Sequence, residues 1–168
     1  PEACTDKLGS VTIKNGKITD VSYGDTPKGD VIDCAGKCLA PGIIDIGVKV
    51  CEPGERHKES FASAGRAAAA GGVTTMVIRP DTKPAIDSPE TLHFAHSRAV
   101  EDAGVNVHLM AALTVGRNGR EMVGIGFLQD AGAVAFSDAA RVIADNKIIG
   151  RCPTNAQGTT AVGTVAPQ

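Results

Sequence analysis

The sequence contains no tryptophan, one tyrosine and four phenylalanines among 168 residues. Nucleic-acid surfaces pair clustered basic residues with stacking rings. Here aromatics make up 3%, and 17 Lys+Arg are spread along a chain that also carries 19 Asp+Glu, so nucleic acid is not an expected partner. No apolar run approaches the roughly 20 residues of a membrane span, and residues 1–7 are polar and acidic rather than signal-like. A cytoplasmic protein without membrane association is the expectation. The five cysteines, Cys4, Cys34, Cys38, Cys51 and Cys152, form no Cys-x-x-Cys pair. Neither a disulfide framework nor a zinc knuckle is indicated, and reduced, buried thiols are the simpler reading. What is present is 42% hydrophobic residues and a net charge of −2, the balance of an ordinary globular domain.

The hydrophobic rhythm changes near Pro41. Before it, residues 11–13 and 18–21 alternate around Asn15-Gly16, a strong hairpin signal because both turn residues accept positive φ. A second short pair, residues 31–33 and 38–40, brackets Ala35-Gly36. Residues 1–40 therefore read as part of a small β-sandwich domain, too small to stand alone. After Pro41-Gly42 continuous apolar strands alternate with helices, as in a parallel sheet covered by helices. The strands are expected at residues 43–50, 73–78, 107–113 and 133–136, and the helices at 58–70, 88–103 and 120–131, with another beginning near Asp145. Ser88-Pro89-Glu90 supplies a capping hydroxyl, a proline at the first helical position and an acid in the first turn.

The fold class expected is α/β, with residues 41–151 forming the first half of a (β/α)8 TIM-type barrel. A whole barrel needs about 250 residues. An open half-barrel would leave two long strand edges unpaired, so a chain truncated and joined across missing residues is favoured over a short natural protein with a loose tail. Residues 152–168 are expected to be that tail, with residues 158–165 as a strand returning to the β-sandwich.

The stretch LAPGIIDIGVKVCEPGERHKESFASAGRAAAAGGVTTMVIRPDTKPAIDSPET resembles the core of the dihydroorotases and related cyclic amidases of the amidohydrolase superfamily. Their pattern runs Pro-Gly-x-x-Asp-x-His-x-His-x-Arg-Glu-Pro-Gly, then Ala-Ala-Ala-Gly-Gly-x-Thr-Thr, then a strand ending Met-Pro-Asn-Thr. GAVAFSD, residues 132–138, matches a later family strand. The resemblance implies a zinc site in which the His-x-His imidazoles hold the metal, which lowers the pKa of a bound water for attack on the cyclic amide. In this sequence the two histidine positions are Gly47 and Lys49, the substrate-binding arginine position is Cys51, and the substrate-binding asparagine position is Asp81. Glycine has no ligand atom, a protonated lysine repels a cation, and Asp81 would face a negative substrate with negative charge.

Two functions follow from the resemblance. The first is a dihydroorotase-like protein of pyrimidine biosynthesis, catalytically impaired or inactive, acting as an assembly partner of aspartate carbamoyltransferase and forming a homo-oligomer. The second is a metal-dependent hydrolase of cyclic amides, a dihydroorotase, hydantoinase or allantoinase, using other ligands. For that second reading Asp45 and Asp138 are the candidate metal ligands, with Asp138 also the candidate catalytic group. Each has a structural alternative: an ion pair with Lys49 for Asp45, a turn carboxylate for Asp138. His57 is expected at the surface or at a helix cap, His93 and His96 on the outer face of a helix, and His108 in the core. Cys51 is a possible nucleophile only if a base lies beside it. The loop Val115-Gly116-Arg117-Asn118-Gly119-Arg120 offers amides and two arginines to an anion at a helix start, but lacks the phosphate-loop spacing.

Overall fold

The chain divides after Ala40 into two units, Pro1–Ala40 and Pro41–Gln168. The computed structural model describes residues 7–24, 26, 29–144, 148, 150 and 162–163. In the first unit, β1 (Ser10–Lys14) and β2 (Lys17–Ser22) pair antiparallel. Asn15 and Gly16 take φ of 52° and 72°, the left-handed pair that a two-residue hairpin turn requires. The register shifts between Thr12 and Ile13, so Thr12 faces Asp20 while Ile13 faces Ile18.

The second expected strand pair does not form. Its turn does: Lys37 N–H donates to the Cys34 carbonyl at 2.9 Å, and Ala35 and Gly36 are both left-handed. The flanks 31–33 and 38–40 remain irregular, with Ile32 89% and Leu39 68% exposed. Three-residue flanks bury too little to offset the entropy of ordering them. Of the expected β-sandwich, the described residues contain this hairpin.

The second unit carries β3 (Ile43–Val48), α1 (Phe61–Ala70), β4 (Val73–Ile78), α2 (Pro89–Asp102), β5 (Asn106–Ala111), α3 (Ile125–Asp130), β6 (Ala135–Phe136) and β7 (Val162–Gly163). The sheet order is β3-β4-β5-β6-β7 and every pairing is parallel. Serine starts both long helices. Ser60 Oγ accepts from Ser63 N–H at 3.2 Å while Ser60 N–H donates to Ser63 Oγ at 3.0 Å. Ser88 and Thr91 repeat this reciprocal cap ahead of α2. Helix α1 stops at Gly71-Gly72, where Gly72 has φ 77°.

One sheet face is packed by the helices. Met76, Ile78, Leu109 and Phe136 share a cluster with Phe61, Leu92 and Leu128, all buried. On the other face Val77, Met110 and Ala135 form a smaller cluster. The same face begins at β3 with Ile44 and Ile46, 63% and 69% exposed.

Two further expectations change. Helix α3 begins at Ile125 rather than Arg120, because residues 121–123 run extended beside the end of β5. There Val115 N–H donates to Glu121 O at 2.8 Å and Val123 N–H to Leu113 O at 3.1 Å. In the tail, Val162–Gly163 pairs parallel with β6 instead of returning to the β-sandwich, which gives β6 a neighbour on its otherwise open side. The rest of 152–168 lies outside the described residues, and of the helix expected near Asp145 only Ile148 and Gly150 are described, both helical. Among the described residues no helix is long and apolar enough to cross a membrane.

Candidate functional site at the strand ends

Side chains that do chemistry in α/β barrels come from the C-terminal ends of the strands and the loops that follow. At the end of β3 the ladder slips: Ile46 faces Val77 and Val48 faces Ile78, leaving Gly47 between them at φ 96°. That backbone conformation suits glycine and strains any side chain. Lys49 follows, with a side chain 56% exposed.

The end of β4 is tied to it, Arg79 N–H donating to the Val48 carbonyl at 2.9 Å. Arg79 Nε and Nη2 grip Asp81 Oδ1 and Oδ2 at 3.1 and 2.6 Å, and Lys49 Nζ stands 3.6 Å from Asp81 Oδ2. The Asp81 side chain is only 7% exposed. Burial pushes its carboxyl up, but the Arg79 hydrogen bonds and the fields of Arg79, Lys49 and Arg117 outweigh this and hold it below the usual aspartate range. A depressed folded-state pKa gives stability that is full above the ordinary aspartate value and is lost as pH falls through the folded value. Thermal midpoints followed downward from about pH 4 should therefore fall more steeply for the native chain than for Asp81→Asn. Parallel curves would remove Asp81 from the acid limb.

The third strand end is built around Asp138, which is 4% exposed. Its Oδ1 accepts Leu113 N–H at 2.9 Å and Thr114 N–H at 3.0 Å, and its Oδ2 accepts the Thr114 hydroxyl. The carboxylate thus ties the loop after β6 to the end of β5. Arg117 Nε and Nη2 donate to the Asp138 carbonyl at 3.2 and 3.1 Å. Burial, with the nearby Arg141 and Arg79 charges, lowers the Arg117 pKa despite the opposing fields of Asp81 and Asp138.

Several sequence expectations are corrected here. Asp45 does not pair with Lys49: it is exposed on β3 and makes no ion pair among the described residues, while Lys49 turns to Asp81. Nor are Asp45 and Asp138 brought together. Among the described residues no three His, Cys, Asp or Glu gather to hold a metal. His108 is exposed rather than in the core, because its register partner is Val77 on the less covered sheet face. His57, His93 and His96 are exposed as expected, and Ser60 rather than His57 caps α1. Cys51 is a half-buried free thiol whose N–H donates to the Glu59 carbonyl at 3.2 Å. The loop 115–120 does not open a helix; it forms a 3-10 turn, Val115–Arg117.

Sequence reasoning missed Arg79. The family strand ends Met-Pro-Asn-Thr where this chain has Arg79-Pro80-Asp81-Thr82, and the paired appearance of a cation and an anion flanking one proline was the available signal. The donor set present does not fit zinc. Where two imidazoles would stand there is a glycine and a lysine, and the carboxylate nearest the lysine is already held by a guanidinium.

Comparison with known proteins agrees with the fold. A family model described as "Dihydro-orotase-like" matches residues 36–159. A dihydroorotase of Solibacter usitatus is 39% identical over 152 residues, covering 90% of this chain and 35% of that protein. One of Endomicrobium trichonymphae is 40% identical over 146 residues, covering 87% and 34%. The chain spans about a third of the length of these curated relatives. Among solved structures, an L-hydantoinase (dihydropyrimidinase) from Arthrobacter aurescens superposes with a TM-score of 0.65 at 27% identity, covering 76% of this chain and 28% of that one. The parallel sheet and its helices are thus the first half of a TIM-type barrel. With the family match covering most of its length, the chain belongs to the dihydroorotase-like family, within the cyclic amidohydrolases.

Proposed function

We propose that this chain is a dihydroorotase-like protein of pyrimidine biosynthesis that no longer opens the dihydroorotate ring. In this reading it works in the cytoplasm as a homo-oligomer and as an assembly partner of aspartate carbamoyltransferase. The observation that carries the reading is the Lys49–Asp81–Arg79 network. It puts fixed positive charge, already partnered by a buried carboxylate, where the family holds its metal. Zinc supplies the family's chemistry by making hydroxide available near neutral pH, and a site lined by an ammonium and a guanidinium opposes a divalent cation. Elemental analysis of the purified protein should find well under one zinc per chain, together with no ring opening of dihydroorotate. Stoichiometric zinc with turnover would overturn the proposal. Co-elution with aspartate carbamoyltransferase at low salt checks the partner separately, and separate elution removes it.

A second reading, a hydrolase of cyclic amides with other ligands, draws on the likeness to a hydantoinase. With about a third of the relatives' length represented, ligands from further strands would have to supply the metal site. Hydantoin turnover without dihydroorotate turnover would favour it.

A further inference from the structure

Cys34 and Cys38 depart from the expectation of buried thiols. Both are free and exposed and lie in the first unit, whereas Cys51 in the second is half-buried. Cys4 and Cys152 lie outside the described residues. The two exposed thiols bracket one turn. Ala35 and Gly36 have φ of 49° and 76°, the left-handed pair that sets two flanks side by side. Lys37 N–H donates to the Cys34 carbonyl at 2.9 Å and Ala35 N–H to Asp33 Oδ1 at 2.8 Å, so the chain reversal holds without help from either sulfur.

That reversal decides what the sulfurs can reach. A four-residue turn keeps the Cα atoms of its ends within about 7 Å, and Cys38 is one Cα step of about 3.8 Å beyond Lys37. A disulfide needs a Cα separation of about 4.4–6.8 Å. Residues 38–40 are exposed and belong to no ladder, so rotation of the backbone after Lys37 brings Cys38 into that range without breaking a strand pairing. Among the described residues the Cys34 thiol meets only the Ile32 carbonyl, at 3.9 Å, and a thiol is a weak donor, so the sulfur stays available.

We propose that Cys34 and Cys38 are a redox-modification site, an intramolecular disulfide that closes over Ala35-Gly36-Lys37 when a low-molecular-weight disulfide oxidises the pair. One thiolate attacks a sulfur of the small disulfide, which forms a mixed disulfide and releases one small thiol. The second thiolate attacks the protein sulfur of that mixed disulfide, which forms the Cys34–Cys38 bond and releases the second small thiol. The two protein thiols lose two electrons and two protons, and the small disulfide gains them. Closure staples the flanks 31–33 and 38–40, which bury too little to pair by themselves, so oxidation changes the order of this turn. A reducing compartment keeps the ring open and an oxidising challenge closes it, the transient kind of disulfide expected outside secreted proteins. The site is independent of assembly with aspartate carbamoyltransferase and of the loss of ring opening.

Treatment of the whole chain, in dilute solution, with oxidised glutathione, then acid quenching, alkylation and tryptic mass mapping, tests it. Cleavage after Lys37 puts the two cysteines on separate peptides, so ring closure appears as a linked pair that carries neither glutathione nor alkyl groups. The oxidised protein should run at single-chain mass in a non-reducing denaturing gel. Cys38→Ser, a change at an exposed position, should strand the reaction at the glutathione adduct on Cys34, an adduct that the native chain loses to ring closure. Hydrogen exchange across residues 31–40 should slow in the linked form and recover on reduction. The proposal is overturned if both cysteines stay alkylated or keep glutathione, if either links to a different cysteine or to a second chain, or if exchange across the turn is the same in the linked and reduced forms.

Discussion

Replacing Asp138 by alanine is expected to destabilise the fold by about 3–5 kcal/mol, since it strands two buried N–H donors and a buried hydroxyl. Each bond involves an ionised acceptor, which makes it roughly twice as strong as a neutral one. The Thr114 hydroxyl in turn accepts Gly119 N–H at 2.9 Å, so the loop that presents Arg117 loosens as well. Asp138→Asn keeps one acceptor oxygen and should lose distinctly less. Urea unfolding of the three proteins measures this. An alanine variant within about 1 kcal/mol of native would show that the carboxylate is not what holds the two strand ends together. It would return Asp138 to consideration as a ligand.

The second large effect is expected at Gly65→Ala. Alanine in a helix normally improves on glycine by about 1 kcal/mol, yet a β-carbon on Gly65 would overlap the carbonyl oxygen of Ala103, the residue that ends α2. Backbone cannot swing aside as a flexible side chain does, so α1 and α2 must separate around Phe61, Ala95 and Ala99. A net loss of about 3 kcal/mol is expected, read as a fall in thermal midpoint. Gly126→Ala is the control: it lies in α3 with nothing near its β-carbon position, and should be neutral or slightly stabilising. Equal behaviour of the two variants would mean that the helix contact is looser than the close approach implies.

Much of the architecture was legible because its signals are local. The Asn15-Gly16 turn, the strand at residues 73–78 and the Ser88-Pro89 helix start each need only a few neighbouring residues to declare themselves. The charged site was not legible for a geometric reason. Asp45 and Lys49 look like partners four residues apart, but along a strand four residues span about 13 Å, whereas the neighbouring strand is about 5 Å away. Lys49 therefore finds Asp81 on the adjacent strand end. The histidine on β5 failed similarly: alternation says that His108 and Met110 share a face, not how far that face is covered at each level. Resemblance singled out Gly47, Lys49, Cys51 and Asp81, but not the contacts that Lys49 and Asp81 make.

The grip of Arg79 on Asp81 also bears on the history open to this lineage. A lone reversion of Lys49 to histidine would leave the Arg79 guanidinium facing any incoming zinc. A lone reversion of Asp81 to asparagine would leave a half-buried guanidinium without its counter-charge. Position 47 would have to accept an imidazole on a backbone now at φ 96°. Residues in contact such as Lys49, Asp81 and Arg79 are expected to respond to substitution non-additively. On the reading proposed above, placing a metal at these strand ends would take coordinated changes at Gly47, Lys49 and the Arg79–Asp81 pair rather than one substitution at a time.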